Sequence, residues 1–207
     1  MSTETVHLFV FDTLADWEPG FAIAGINNPA YQKNSGRYRV QTVGIDTRPV
    51  TTIGGVRMQP DLALTSLNPA DSAMLILPGG EAWDQGKNGE AIEKAKEFLA
   101  AKVPVAAICG ATFGLARGGI LDTRHHTSNA REYLAMSNYK GDTLYRDEAA
   151  VTDQDVITAS AMKSLDFARH IFLRLDIYPE YALEAWYRLF STGDMSHFLA
   201  LQQQGDK

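Results

Sequence analysis

The sequence is short of several things, and each shortage excludes a class of protein. It has one cysteine in 207 residues, Cys109. No intrachain disulfide can form, and a four-cysteine metal site is excluded. Positive charge is scarce: 19 Lys and Arg stand against 25 Asp and Glu, for a net charge of -6. Such a surface lacks the basic face that tracks nucleic-acid phosphates, so no nucleic-acid partner is expected. No apolar stretch approaches the roughly 18 to 20 residues that cross a bilayer, and no membrane partner is expected either. Residues 1–5 (MSTET) lack the charged and apolar regions of a secretory signal, and the expected location is the cytoplasm. A glycine-rich phosphate loop is missing too, because Gly54-Gly55 and Gly118-Gly119 lack GxGxxG spacing. Neither a cofactor nor a resident metal is expected.

What is present is the material of a globular enzyme-sized domain. Hydrophobic residues make up 45% and charged residues 21%, enough for a sizeable core. Short apolar runs alternate with helical segments. Residues 6–11 (VHLFVF), 38–44 (YRVQTVG), 73–77 (AMLIL), 104–108 (PVAAI) and 156–159 (VITA) read as strands buried on both faces. Helices are expected over 16–27, 89–102, 110–117, 129–136 and 164–175, the one at 129 opened by an Asn129/Glu132 capping box. This alternation predicts a doubly wound, mainly parallel α/β sandwich over residues 1–178. Residues 179–207 carry Tyr181, Leu183, Trp186, Leu189, Phe190, Phe198 and Leu199 at roughly helical spacing. They predict a helical extension, packed on the domain or on a second subunit.

Catalytic groups of parallel sheets gather beyond the carboxyl ends of the strands, and Cys109 sits at such a point. Ala107, Gly110 and Ala111 give it the small neighbours that a sharp strand-to-helix turn demands. The positive end of the helix that follows favours thiolate over thiol. Gly79 and Gly80, after the 73–77 strand, suit a backbone nest for an oxyanion, together with the amide of Gly110. Glu18 reads two ways, as a charge at a helix N-terminus or as a carboxyl beside the thiol. His126, of the pair His125-His126, is the candidate base. Trp17, Trp83 and Asp84 are candidate pocket walls.

Taken in order, these residues resemble the PfpI-type superfamily, related to the class I glutamine amidotransferase-like domains. That superfamily includes intracellular protease-like, glyoxalase, deglycase and Parkinson-associated stress proteins. The resemblance covers about residues 5 to 177 and rests on VFDTLADWE with Glu18, LILPGG, AAICGAT, GGILDTRHHTSN and VITASA followed by SLDFARHIFLRL. It implies a flavodoxin-like sandwich, usually a homodimer. It also implies an easily oxidised cysteine bonded to a protonated glutamate, here Glu18. Gly110 stands where protease-like members have a histidine, and HTSN slipped against the family's Thr-Ser-His pattern puts Thr127 at the base position instead of His126. The late histidines read His170-Ile171-Phe172 and His197-Phe198-Leu199, so the His-x-Glu pair of a true glutaminase is absent.

Two functions follow. One is a cysteine-dependent hydrolase or lyase-like enzyme acting on a small carbonyl, amide or glycated substrate. The other is a non-enzymatic oxidative-stress sensor or chaperone whose Cys109 is oxidised. A packing role for Cys109 in a ligand-binding module of the same fold is the third alternative.

Overall fold

The computed structural model describes residues 3–205. Its first half runs β1 (Glu4–Phe9), α1 (Gly20–Asn27), β2 (Tyr38–Gly44), β3 (Val50–Thr51), β4 (Arg57–Met58), β5 (Leu62–Ala63) and β6 (Met74–Leu77). Next come α2 (Glu81–Asp84), α3 (Gly89–Ala100), β7 (Val105–Ile108), α4 (Gly110–Arg117) and α5 (Arg131–Ala135). The chain closes with β8 (Ala150–Asp153), β9 (Val156–Ala159), α6 (Ser164–Leu175), α7 (Glu180–Thr192) and α8 (Ser196–Gly205).

Seven strands form one sheet in the order β5-β2-β1-β6-β7-β9-β8, all parallel except the last pair. The three runs MLIL, VAAI and VITA are buried at every position, as strands covered on both faces must be. The chain winds outward one way from β1 through β2 to β5, then the other way from β6 through β7 to β9. The reversal leaves a crevice between β1 and β6, beyond their carboxyl ends. Among the described residues no helix is long and apolar enough to cross a membrane.

The flavodoxin-like α/β architecture matches the expectation, and several boundaries differ for physical reasons. The first helix begins at Gly20 rather than residue 16. Residues 12–19 are held in turns instead, and Asp16 accepts from the Gly54 amide at 2.8 Å. The expected Asn129 capping box does not form: α5 starts at Arg131 after an extended Ala130 that caps nothing. The edge strand β8 and the two-residue strands β3, β4 and β5 carry too short a pattern to announce themselves.

The C-terminal extension forms two helices and packs on its own chain. The Trp186 ring centroid lies 5.0 Å from Phe172 and 6.1 Å from Phe21, tying α7 to α6 and α1. Ala182, Leu183 and Leu201 join the main core.

Candidate active site

Cys109 occupies the turn between β7 and α4 with φ 57° and ψ −125°. A non-glycine residue held there stores strain of roughly 1–3 kcal/mol and persists only where its surroundings impose it. Sheet pairing imposes it on one side, for the Cys109 amide donates to Ala159 O at 3.0 Å. On the other side, the Thr112 hydroxyl donates to Cys109 O at 2.5 Å and lies 2.6 Å from Ser128 Oγ, which then donates in turn. Crowding explains the small neighbours. A Cβ on Gly110 would stand 3.1 Å from Gly80 O and 3.2 Å from the Trp83 side chain.

Glu18 is fully buried, although it sits in a surface turn after β1. Its Oε2 accepts from the Gly79 amide at 2.5 Å, while Oε1 has no hydrogen-bond partner among the described residues. Of its two readings the structure selects the carboxyl beside the thiol. Gly79 lies between the two groups. A Cβ there would be 2.6 Å from Glu18 Oε2, 2.6 Å from Cys109 Cβ and 3.0 Å from Cys109 Sγ. Only glycine lets carboxyl and sulfur close around this backbone. Gly80 is equally tight, because a Cβ on it would lie 2.3 Å from Thr13 O.

Burial dominates the ionisation of both groups. It pushes the Glu18 carboxyl up to about 7, against the Gly79 amide and the Cys109 side chain, which favour the anion. It also pushes the Cys109 thiol up to about 12, with the negative charge of Glu18 as the next cause and the Asn129 amide opposing. The helix dipole alone therefore does not produce a free thiolate. Two buried acids in contact titrate as one system, and the thiolate forms most readily when its proton resides on Glu18.

The sequence pattern missed Asn129. Its Nδ2 donates to Cys109 Sγ at 3.3 Å, and its Oδ1 accepts from the Ala161 amide at 2.9 Å. The side chain expected to cap a helix thus spans from the loop after β9 to the sulfur. The order TRHHTSN places an amide after a histidine pair, and nothing in that spacing identifies which member reaches inward. Asn129 also lines a cavity of about 660 Å³, together with Ala130, Tyr145, Met162 and Lys163.

The two candidates for the base lie elsewhere. His126 is buried, with Nδ1 2.7 Å from Arg124 O and Nε2 3.0 Å from the Tyr139 hydroxyl. Tyr139 and Tyr145 pack edge-on against its ring. Both nitrogens are committed, and neither serves the thiol. Thr127 donates its hydroxyl to Glu148 O at 2.8 Å and is committed as well. Of the three expected wall residues, Trp17 is 56% exposed on the surface, and Trp83 is buried with Nε1 donating to Pro78 O. Asp84, exposed as well, accepts from the Tyr133 hydroxyl at 2.6 Å. Among the described residues no cluster of His, Cys, Asp and Glu is arranged to hold a metal ion.

Comparison with known proteins places this geometry among relatives. The DJ-1/PfpI family model matches residues 4–173. The uncharacterized protease YoaZ of Bacillus subtilis is 38% identical over 204 residues, covering 97% of each chain. The deglycase PfpI of Pyrococcus furiosus is 29% identical over 101 residues, 48% of this chain and 61% of that protein. A crystal structure of a thiJ/pfpI family protein from Bacillus anthracis superposes with a TM-score of 0.92 at 40% identity, covering 98% of this chain and 97% of that one.

Proposed function

The chain belongs to the DJ-1/PfpI family, and we propose that it is a cysteine-dependent enzyme acting on small carbonyl compounds, with Cys109 as nucleophile and Glu18 as its proton partner. One observation carries the reading. A half-buried thiol on a strained elbow stands beside a fully buried carboxyl whose pKa is raised to about 7, the Gly79 backbone between them, and the candidate histidine His126 is bonded elsewhere.

The chemistry follows from that proton balance. The thiol proton passes to Glu18 as Sγ bonds to the carbonyl carbon and the C=O π electrons move to oxygen. The amides of Gly80 and Gly110, whose backbones meet at the elbow, hold the developing oxyanion. Glu18 then returns the proton to the oxyanion of an aldehyde adduct or, where an amide's tetrahedral adduct collapses and its C–N bond breaks, to the departing amine; water then adds to the resulting thioester and releases the carboxylic acid and the thiol. A carboxyl near 7 can both take and give a proton at neutral pH, which an ordinary carboxylate does poorly. Asn129 holds the sulfur in register.

Relatives named as protease and as deglycase fit a hydrolytic enzyme of this kind. A peptidase is the weaker version, because Gly110 stands where protease-like members of the family have a histidine. A stoichiometric peroxide sensor is weaker as well. Peroxide reacts with thiolate, and burial favours the resting thiol until a positioned electrophile draws the proton onto Glu18.

The test is turnover of a panel of small aldehydes, their amine adducts and small amides by the wild-type protein, Cys109→Ser and Glu18→Gln. Turnover lost in the first and reduced at least a hundredfold in the second is expected. No turnover across the panel, or turnover surviving Cys109→Ser, contradicts the proposal.

A further inference from the structure

One contact beside the thiol has no part in the chemistry above. Tyr133, on α5, donates its hydroxyl to Asp84 at 2.6 Å, and Asp84 closes α2. The two helices are joined by this bond across α4, whose first residue follows Cys109. The Tyr133 ring also lies on Phe113, with centroids 5.2 Å apart, and Phe113 is one turn along α4 from the nucleophile. The phenol is half-buried, and burial, Asp84 and then the charges of Cys109 and Glu18 all push its ionisation up. Neighbouring residues place the bridge at the reacting pair: Tyr133 lies four residues after Asn129, whose Nδ2 reaches Cys109 Sγ, and Asp84 follows Trp83, whose side chain packs against Gly110, while the raised ionisation keeps the phenol protonated as a donor to Asp84.

The ends of this bridge come from the two elements that frame the site. Helix α2 follows directly from Gly79-Gly80, and α5 begins two residues after Asn129. Closing one onto the other costs the exposed Asp84 part of its hydration, and a short charge-assisted bond offsets that cost.

We propose that Tyr133, latched by Asp84 and braced by Phe113, is a specificity-determining residue that admits small unbranched carbonyl compounds to Cys109 and excludes bulky ones. The proposal rests on Cys109 being the reacting atom, but its test needs no turnover. Cys109 is the one cysteine in the chain, so every thiol reagent reports on it. Tyr133→Phe keeps the ring and loses the bond, Asp84→Ala loses the bond from the other side, and Tyr133→Ala removes the wall.

The measurement is the ratio of two labelling rates at fixed pH, a maleimide carrying a bulky dye against iodoacetamide. Tyr133→Ala is expected to raise this ratio about tenfold or more. Tyr133→Phe and Asp84→Ala each raise it by a smaller, equal factor, and the double variant raises it no further. A merely structural role would change both rates together and leave the ratio where it stands in the wild type. An unchanged ratio in the folded variants, or additive effects of Tyr133→Phe and Asp84→Ala, overturns the proposal. Should Tyr133→Ala fail to fold, the two milder variants decide the question. Absence of turnover on any panel would sink the enzymatic reading while leaving this ratio measurable.

Discussion

Glu18 and Cys109 close on either side of the Gly79 backbone, so near that a methyl group there would stand 2.6 Å from Glu18 Oε2 and 3.0 Å from Cys109 Sγ. The crevice where the winding of the sheet reverses brings them together. Glu18 arrives after β1, Gly79 after the neighbouring β6 and Cys109 after β7. One proton between two buried acids is the chemical content of that geometry.

Gly79→Ala is the most direct disturbance. Its Cβ meets Cys109 Cβ and Glu18 Oε2 at 2.6 Å, and Cys109 Cβ, one bond from the backbone, cannot yield without moving the elbow. A loss of about 1–3 kcal/mol of stability is expected from overpacking, with at least a tenfold fall in Cys109 alkylation. Chemical denaturation and labelling rates check both. Wild-type stability and reactivity in this variant would mean that the carboxyl and thiol are not in contact.

Glu18→Gln makes a signed prediction. Burial raises the folded-state pKa from 4.5 to about 7, so the folded state holds a proton that the unfolded chain gives up. The contribution of Glu18 to stability is complete below pH 4.5 and is lost as pH rises to 7, a swing of about 3 kcal/mol. The neutral glutamine escapes that loss. Its stability relative to wild type should therefore improve between pH 4 and pH 8, read from paired unfolding curves. A difference that is flat with pH would count against a protonated Glu18.

Asn129→Ala removes the N–H donated to sulfur and the acceptor of the Ala161 amide. The thiol then loses one of the groups that oppose the upward shift, so its apparent pKa should rise and alkylation at pH 8 should slow severalfold. Loss of the Ala161 bond costs about 1 kcal/mol in addition. An unchanged alkylation profile would show that the amide does not act on the sulfur.

His126→Asn separates packing from catalysis. The ring is buried, with both nitrogens bonded and two tyrosines against it, so about 1–3 kcal/mol of stability should be lost. The pH profile of Cys109 labelling should stay as in the wild type. A profile shifted in a folded His126→Asn protein would restore histidine as the base.

How much of this was legible beforehand differs by element. Buried parallel strands have a loud signature, and MLIL, VAAI and VITA sit within a residue of their expected ends. Helix 164–175 was readable to the residue from its apolar stripe. Cys109 and its small neighbours were legible because an elbow imposes local steric demands. Glu18, Gly79 and Gly80 showed as polar and glycine punctuation after strands. The partner from the 124–129 loop did not. An irregular segment has no period, so the choice among His126, Thr127 and Asn129 rests on tertiary contacts with Arg124, Tyr139, Glu148 and Ala161. Tyr133 and Asp84 are 49 residues apart, and no local pattern joins them.

The central claim, that Glu18 takes the proton of Cys109, is tested most directly by the rate of iodoacetamide alkylation from pH 4 to 10 in wild type and Glu18→Gln. With a single cysteine the label reports on Cys109 alone. A shared proton predicts a first rise with its midpoint near 7, where the pair loses one proton, then a plateau set by the fraction with the proton on Glu18. In Glu18→Gln that first rise should vanish, leaving one rise at higher pH. A single rise near the roughly 8.5 of a free thiol, the same in both proteins, would contradict the account.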